Sequence, residues 1–357
     1  MTTSDYPRSA FFAAANTADG FYSRFPTLFD PSCGRWQKIY IIKGGPGTGK
    51  SSFMKRAAEY AEDKGYAVER YYCSADPCSL DGIRIPDLGI SMLDGTAPHT
   101  VDPSYPGAVE EIINMGMFFD VRALQANTEE IRRLCAEHSG HHAAARRYLR
   151  AAGAMREQTR SLLSEAYLAD KAAGAAARIV QKLPQEREPF YDTQFVTAIS
   201  ARGIVHLPTA ESMGNVTWVT DGGGASLFFD ALAEAAERRG VSFVRFASPL
   251  RPAETEGIYF AGSGSVYMTD RYGQPQTNAA SAQRPLNTAR FYDREVLSKI
   301  RSRVRFAKAC EQSLLDGACT ALAAAGQVHD ALESFYIAAM DFGALESFSA
   351  RFLRGFC

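Results

Sequence analysis

Residues 44–51 read Gly-Gly-Pro-Gly-Thr-Gly-Lys-Ser, which has the spacing GxxxxGK(S/T). This combination suits phosphate chemistry. Glycines let the backbone turn tightly and aim successive N–H groups at one point, and a following helix adds the positive end of its dipole there. The lysine supplies a cation and the hydroxyl a magnesium ligand. We therefore assign Gly44, Gly45, Pro46, Gly47, Thr48, Gly49, Lys50, Ser51 and Ser52 to holding the phosphates of ATP, with Lys50 on the β- and γ-phosphates and Ser51 on Mg²⁺. A second magnesium ligand is expected at the end of a neighbouring strand. Asp94, which closes "LGISMLD", fits that place, so the expected metal pair is Ser51 and Asp94. Asp76, in "SADPCSLDG", is a candidate to orient the attacking water or a substrate hydroxyl; Asp81 follows in the same loop.

These residues need particular elements around them. Ile39–Ile42 form a short apolar run, as a buried parallel strand should, and Phe53, Ala57 and Ala61 recur at helical spacing until Gly65. Strand, loop and helix thus occur in the required order. After Asp94 the segment "DGTAPHTVDPSYPGAVEEIINMG" predicts a structured crossover loop and then a helix start. Its His99, Asp102 and Glu110 are candidate substrate or water contacts. Arg84 is a candidate for neutralising charge at the same site.

The loop recurs in altered form. Residues 47–95 lie over 222–270 without a gap, matching Gly47 with Gly222, Gly49 with Gly224, Ser51 with Ser226, Phe53 with Phe228, Gly65 with Gly240 and Arg70 with Arg245. Outside that block Phe12 pairs with Phe195, Gly20 with Gly203, Leu149 with Leu322 and Gly153 with Gly326. The chain reads as a tandem duplication joined near Pro184–Pro189, with domains 1–186 and 187–357. The second copy, "VTDGGGASLF", has Ala225 in place of Lys50, Val219 in place of Gly44, Thr269 in place of Asp94 and Asp221 in place of Pro46. A carboxylate where phosphates would sit disfavours ATP, so the second loop is expected to be a degenerate repeat.

Residues 121–183 and 291–355 are expected to be helical arms. Ser139-Gly140 predicts a break that folds the first arm into a hairpin. Such an arm is a candidate lid, partner surface or dimer contact. Arg132, Arg133, Arg146 and Arg147 read as a solvated face, and His138, His141 and His142 as a surface cluster.

The net charge of −1 predicts no nucleic-acid partner, and no apolar run approaches membrane-spanning length. The N-terminal residues lack the basic region of a signal peptide, and the seven cysteines are scattered without a CxxC pair. The expectation is a cytoplasmic protein with reduced thiols.

The motifs "FFAAANTADGF", "GGPGTGKSS", "DPCSLDG" and "DGTAPH" followed by "PGAVEEIIN" resemble a largely uncharacterised bacterial family of tandem P-loop ATPases. The resemblance covers nearly the whole chain, most sharply residues 11–120. It implies ATP binding and hydrolysis with Mg²⁺, and an α/β fold of two P-loop NTPase-like domains, each a parallel sheet with flanking helices. The chain departs from the family in its second loop, which in relatives often looks intact. Two rival expectations stand beside hydrolysis. One is a nucleotide or small-metabolite kinase with the arm as its lid. The other is a non-catalytic switch in which ATP orders the arms for a protein partner.

Overall fold

The computed structural model describes residues 9–271 and 285–356; Cys357 lies outside them. The first half runs β1 (Ala10–Phe12), β2 (Ala14–Thr17), β3 (Gly20–Ser23), α1 (Phe25–Leu28), β4 (Lys38–Lys43), α2 (Lys50–Asp63), β5 (Glu69–Tyr72), β6 (Leu80–Ile85), β7 (Ile90–Asp94) and β8 (Glu110–Asn114). Helices α3 (Val121–Ala126), α4 (Thr128–Ala166) and α5 (Ala169–Val180) follow. The second half repeats the plan as β9 (Tyr191–Gln194), β10 (Thr197–Ser200), β11 (Gly203–His206), α6 (Thr209–Met213), β12 (Asn215–Thr220), α7 (Ala225–Arg239), β13 (Phe243–Ala247), β14 (Thr255–Phe260), β15 (Ser265–Thr269) and β16 (Leu286–Asn287). It closes with α8 (Arg294–Ala338) and α9 (Phe342–Arg354).

Two six-stranded sheets have the same order, β1-β5-β6-β7-β4-β8 and β9-β13-β14-β15-β12-β16. The fold is therefore α/β with two sheet-bearing halves. The sheets are mixed, whereas the sequence predicted parallel ones. In the first, β1–β5, β7–β4 and β4–β8 are parallel, while β6 is antiparallel to both its neighbours. The second sheet repeats this with β14. The reason is connection length. Only a short turn joins β6 to β7, and such a turn can link only antiparallel neighbours, whereas a parallel return needs a crossover of a dozen or more residues. β8 also replaces the helix start expected at 110–114. Its Ile112 and Ile113 are β-branched, and the segment pairs with the edge of β4 through Ile42 opposite Ile113.

Each sheet buries a helix face. On α2, Phe53, Met54, Ala57, Ala58 and Ala61 are buried; on α7, Phe228, Phe229, Leu232, Ala235 and Ala236. The halves meet around an approximate two-fold. The Phe12 N–H donates to the Phe195 carbonyl at 2.8 Å, Ala18 N to Leu250 O at 2.9 Å and Ala201 N to Ala75 O at 3.2 Å. Hairpins β2–β3 and β10–β11 thus each reach the loop after the fifth or thirteenth strand of the opposite half.

The arms differ from the expected hairpins. α4 is one continuous helix of 39 residues through Ser139 and Gly140. A glycine inside a helix costs only about 1 kcal/mol relative to alanine, and packing along the arm outweighs that. The hairpin partner of α4 is α8, which runs antiparallel to it: His138 meets His329, Tyr148 meets Gly317, and Thr159 lies beside Lys308 around Gly223. Leu149 and Ala152 share a core with Leu315, Ala318 and Leu322. The arms therefore end on opposite halves. Ala172, Ala175, Ala176 and Val180 of α5 pack with Phe228, Phe229 and Leu232 of α7. Phe352 and Phe348 of α9 pack on Phe53 of α2, at ring separations of 5.2 and 6.2 Å. Among the described residues no helix is long and apolar enough to cross a membrane.

Candidate functional site

The loop between β4 and α2 carries Gly44–Gly49. Gly47 and Gly49 have φ of 66° and 79°, a left-handed backbone that side chains disfavour, which explains glycine at both positions. Thr48 is buried and its hydroxyl donates to Gly45 O at 2.9 Å, tightening the turn. Lys50, the first residue of α2, folds back over the loop. Its Nζ donates to Gly45 O at 2.7 Å and Gly44 O at 3.3 Å.

Asp94 ends β7, the strand next to β4, with Ile42 opposite it. Its Oδ2 lies 3.6 Å from Lys50 Nζ, while Oδ1 accepts from Thr96 N and Thr96 Oγ1 at 2.9 and 2.5 Å. The Ser51 hydroxyl accepts from Leu80 N at 2.9 Å, and Ser52 and Pro46 remain at least partly accessible. Lys50 and Asp94 thus meet beyond the carboxyl ends of the adjacent parallel strands β4 and β7, while the Ser51 hydroxyl is engaged by Leu80 at the start of β6.

Asp76 is engaged differently. Its Oδ1 accepts from Cys78 N at 3.2 Å and its Oδ2 from Ser79 Oγ at 2.7 Å, which closes an Asx turn before β6. Asp81 and His99 form a pair that spacing did not announce. His99 Nε2 stands 3.2 Å from Asp81 Oδ2, both are buried, and Phe25 stacks on the imidazole at 4.2 Å. Burial pushes the Asp81 carboxyl up, and the His99 hydrogen bond opposes this. Glu110 is buried and accepts from Ser104 N and Tyr105 N, so it organises the crossover loop, while Asp102 pairs with Lys43 at 3.0 Å. Arg84 contacts Tyr71 OH and Glu69 and stacks over Trp36. On α4, Arg133 pairs with Glu130 and Glu137 along the exposed helix face.

The second half roofs this loop, which no spacing signalled. Glu333 Oε1 of α8 accepts from Gly47 N at 2.8 Å. A Cβ on Gly45 would stand 2.7 Å from the Tyr336 ring, one on Gly47 2.8 Å from Ile337, and one on Gly49 3.3 Å from Leu345 of α9. His329 Nε2 lies 4.0 Å from the same Glu333 oxygen. It also joins the expected histidine cluster, with ring centroids 5.6 Å from His138 and His138 4.5 Å from His142. Burial and the neighbouring His138 hold His142 down to about 4, so it is neutral near pH 7.

The repeat loop has a different interior. Gly224, opposite Gly49 in the alignment, has φ −134°. Asp221 fills the turn: its Oδ1 accepts from Gly223 N at 2.6 Å and Ala225 N at 3.1 Å. Its Oδ2 faces Arg271 at 3.3 Å and Arg156 of α4 at 3.9 Å. Arg156 also donates to Glu254 at 2.7 Å, and Arg160 of α4 donates to Ser226 Oγ at 2.7 Å. A carboxylate of the chain itself thus takes the amides at the start of α7, and Tyr292 and Leu163 close over Gly224. The chain matches no protein-family model, no curated protein and no solved structure.

Proposed function

We propose that this protein binds ATP with Mg²⁺ and hydrolyses it at one site, built on Gly44–Ser52 of the first half, while the loop at Asp221–Ser226 is a repeat that holds no nucleotide. The observation that carries the reading is Lys50. It is a nearly buried ammonium bound to its own loop carbonyls, with Asp94 at 3.6 Å. A phosphate chain would give this ammonium closer anionic oxygens than the carboxylate at 3.6 Å. The resemblance to tandem P-loop ATPases points the same way. Mg²⁺, held by Ser51 and Asp94, would neutralise charge on the phosphates. Lys50 and the loop amides would orient the phosphates, and Asp94 would fix the ammonium.

The test follows γ-labelled ATP with purified protein, Mg²⁺ and a small-metabolite extract. Label is expected only as free phosphate, and Lys50→Ala is expected to abolish it. Label in a new organic compound would make the protein a kinase, and unchanged hydrolysis by Lys50→Ala would move the site elsewhere. A second reading, an ATP-dependent switch with little turnover, is favoured by the contact of Glu333 and Tyr336 with the loop. It predicts tight ATP binding, negligible phosphate release and altered hydrogen exchange in α8.

A further inference from the structure

We infer that Glu333 sets the nucleotide affinity of the first-half site by occupying the place of a phosphate. This inference rests on the ATP-binding reading above.

The Gly47 amide, a donor that the motif reserves for phosphate, is taken by Glu333 Oε1 at 2.8 Å. Two anions cannot share that donor: phosphate and carboxylate oxygens repel one another, and Lys50 and the neighbouring amides favour whichever carries more charge. The second half carries the same device. There Asp221 takes the amides of Gly223 and Ala225, so both loops of this chain are satisfied by a carboxylate. The two devices differ in strength. Asp221 belongs to its own loop, is almost fully buried and faces Arg156 and Arg271. Glu333 comes from the far end of a crossing helix, keeps about a third of its side chain exposed (35%) and among the described residues is paired with His329, at 4.0 Å.

The pseudo-two-fold explains the swap of charges. Extending the alignment of Gly153 with Gly326 puts Arg160 over Glu333. Arg160 binds Ser226 and pairs with Asp230, both on α7, and Glu333 accepts from Gly47 in a loop whose only charge is Lys50. The same arm position thus sets a charged side chain of opposite sign against the corresponding region of each opposite half. One anion is locked in; the other is displaceable. When phosphate arrives, Glu333 must leave, and the last turns of α8, with Tyr336 and Ile337, move with it.

The experiment measures the ATP dissociation constant, with Mg²⁺, by calorimetry on the full-length wild type, Glu333→Gln, Glu333→Ala and Lys50→Ala. A charge-assisted hydrogen bond removed from the unbound protein should tighten binding about tenfold to a hundredfold in Glu333→Ala, with Glu333→Gln between it and wild type. Binding seen in Glu333→Ala but not in wild type would support the inference equally. Equal or weaker binding in both glutamate variants, each folded by circular dichroism, would overturn it, because Glu333 would then be a support or a catalytic group. ATP binding by none of the four proteins would overturn the nucleotide reading itself.

Discussion

Lys50 and Asp94 occupy one corner, and Asp76 is tied into a turn, so substitutions at the two aspartates should separate. Asp94→Asn is expected to lower Mg²⁺-dependent turnover by more than about tenfold. Asp76→Asn keeps a side-chain acceptor for Cys78 N and should change turnover by less than about threefold; a greater loss in Asp76→Asn, measured as steady-state phosphate release, would reverse these roles. A different residue bears on acid stability. Burial holds His206 down to about 4, against 6.5 when exposed, and Thr197 Oγ1 stands 3.1 Å from its Nδ1. A depressed histidine contributes stability above its unfolded value that is lost as pH falls from about 6.5 towards 4. Glu211, pushed up by burial, pulls the opposite way, so the informative quantity is a difference. Relative to wild type, His206→Gln should flatten the fall in denaturant stability between pH 6.5 and 4 by up to about 3 kcal/mol. The motif residues were legible because their types and spacing are tied to one chemistry. Glu333 was not, since nothing in a glutamate on an exposed-looking helix states which loop lies beneath it.

Helix, strand and loop were predicted over residues 38–63 because apolar run, glycine turn and helical period agree there. The same criteria failed at 110–114, where β8 joins the edge of β4, and at 139–140, where the arm continues. In both places contacts from distant sequence decide. The two glycines of α4 make that difference measurable. A Cβ at Gly140 meets nothing within 4 Å, so Gly140→Ala should stabilise the protein by about 0.5–1 kcal/mol through helix propensity and backbone entropy. A Cβ at Gly153 would stand 2.4 Å from that of Ala18, so Gly153→Ala should instead destabilise by about 1–3 kcal/mol. Thermal denaturation reads both, and equal signs would mean that the arm does not lie on the β2–β3 hairpin. In the repeat loop, Ala225→Lys should leave ATP stoichiometry at one per chain, because Asp221 still fills the turn. A second bound ATP in calorimetry would show that loop to be less altered than its geometry implies.

At the scale of the whole molecule, the duplication was visible in sequence as aligned glycines, yet the exchange of arms was not. Alignment compares each segment with its counterpart and carries no information on which sheet the segment covers. The exchange predicts how the chain divides. Fragment 1–186 alone exposes the α5 face that α7 covers, and 187–357 alone exposes the α9 face that α2 covers. Each should aggregate or unfold by itself, whereas co-expressed they should form a one-to-one complex on size-exclusion chromatography. Two independently folded monomeric fragments would contradict the crossing. Such crossing also ties the two loops together whatever each of them binds. The half with alanine at 225 owns α8 and α9, the roof over the loop that carries Lys50. A chain built this way cannot dispense with either half, whichever loop carries the chemistry, and damage to the second half should surface as a defect at the loop of the first.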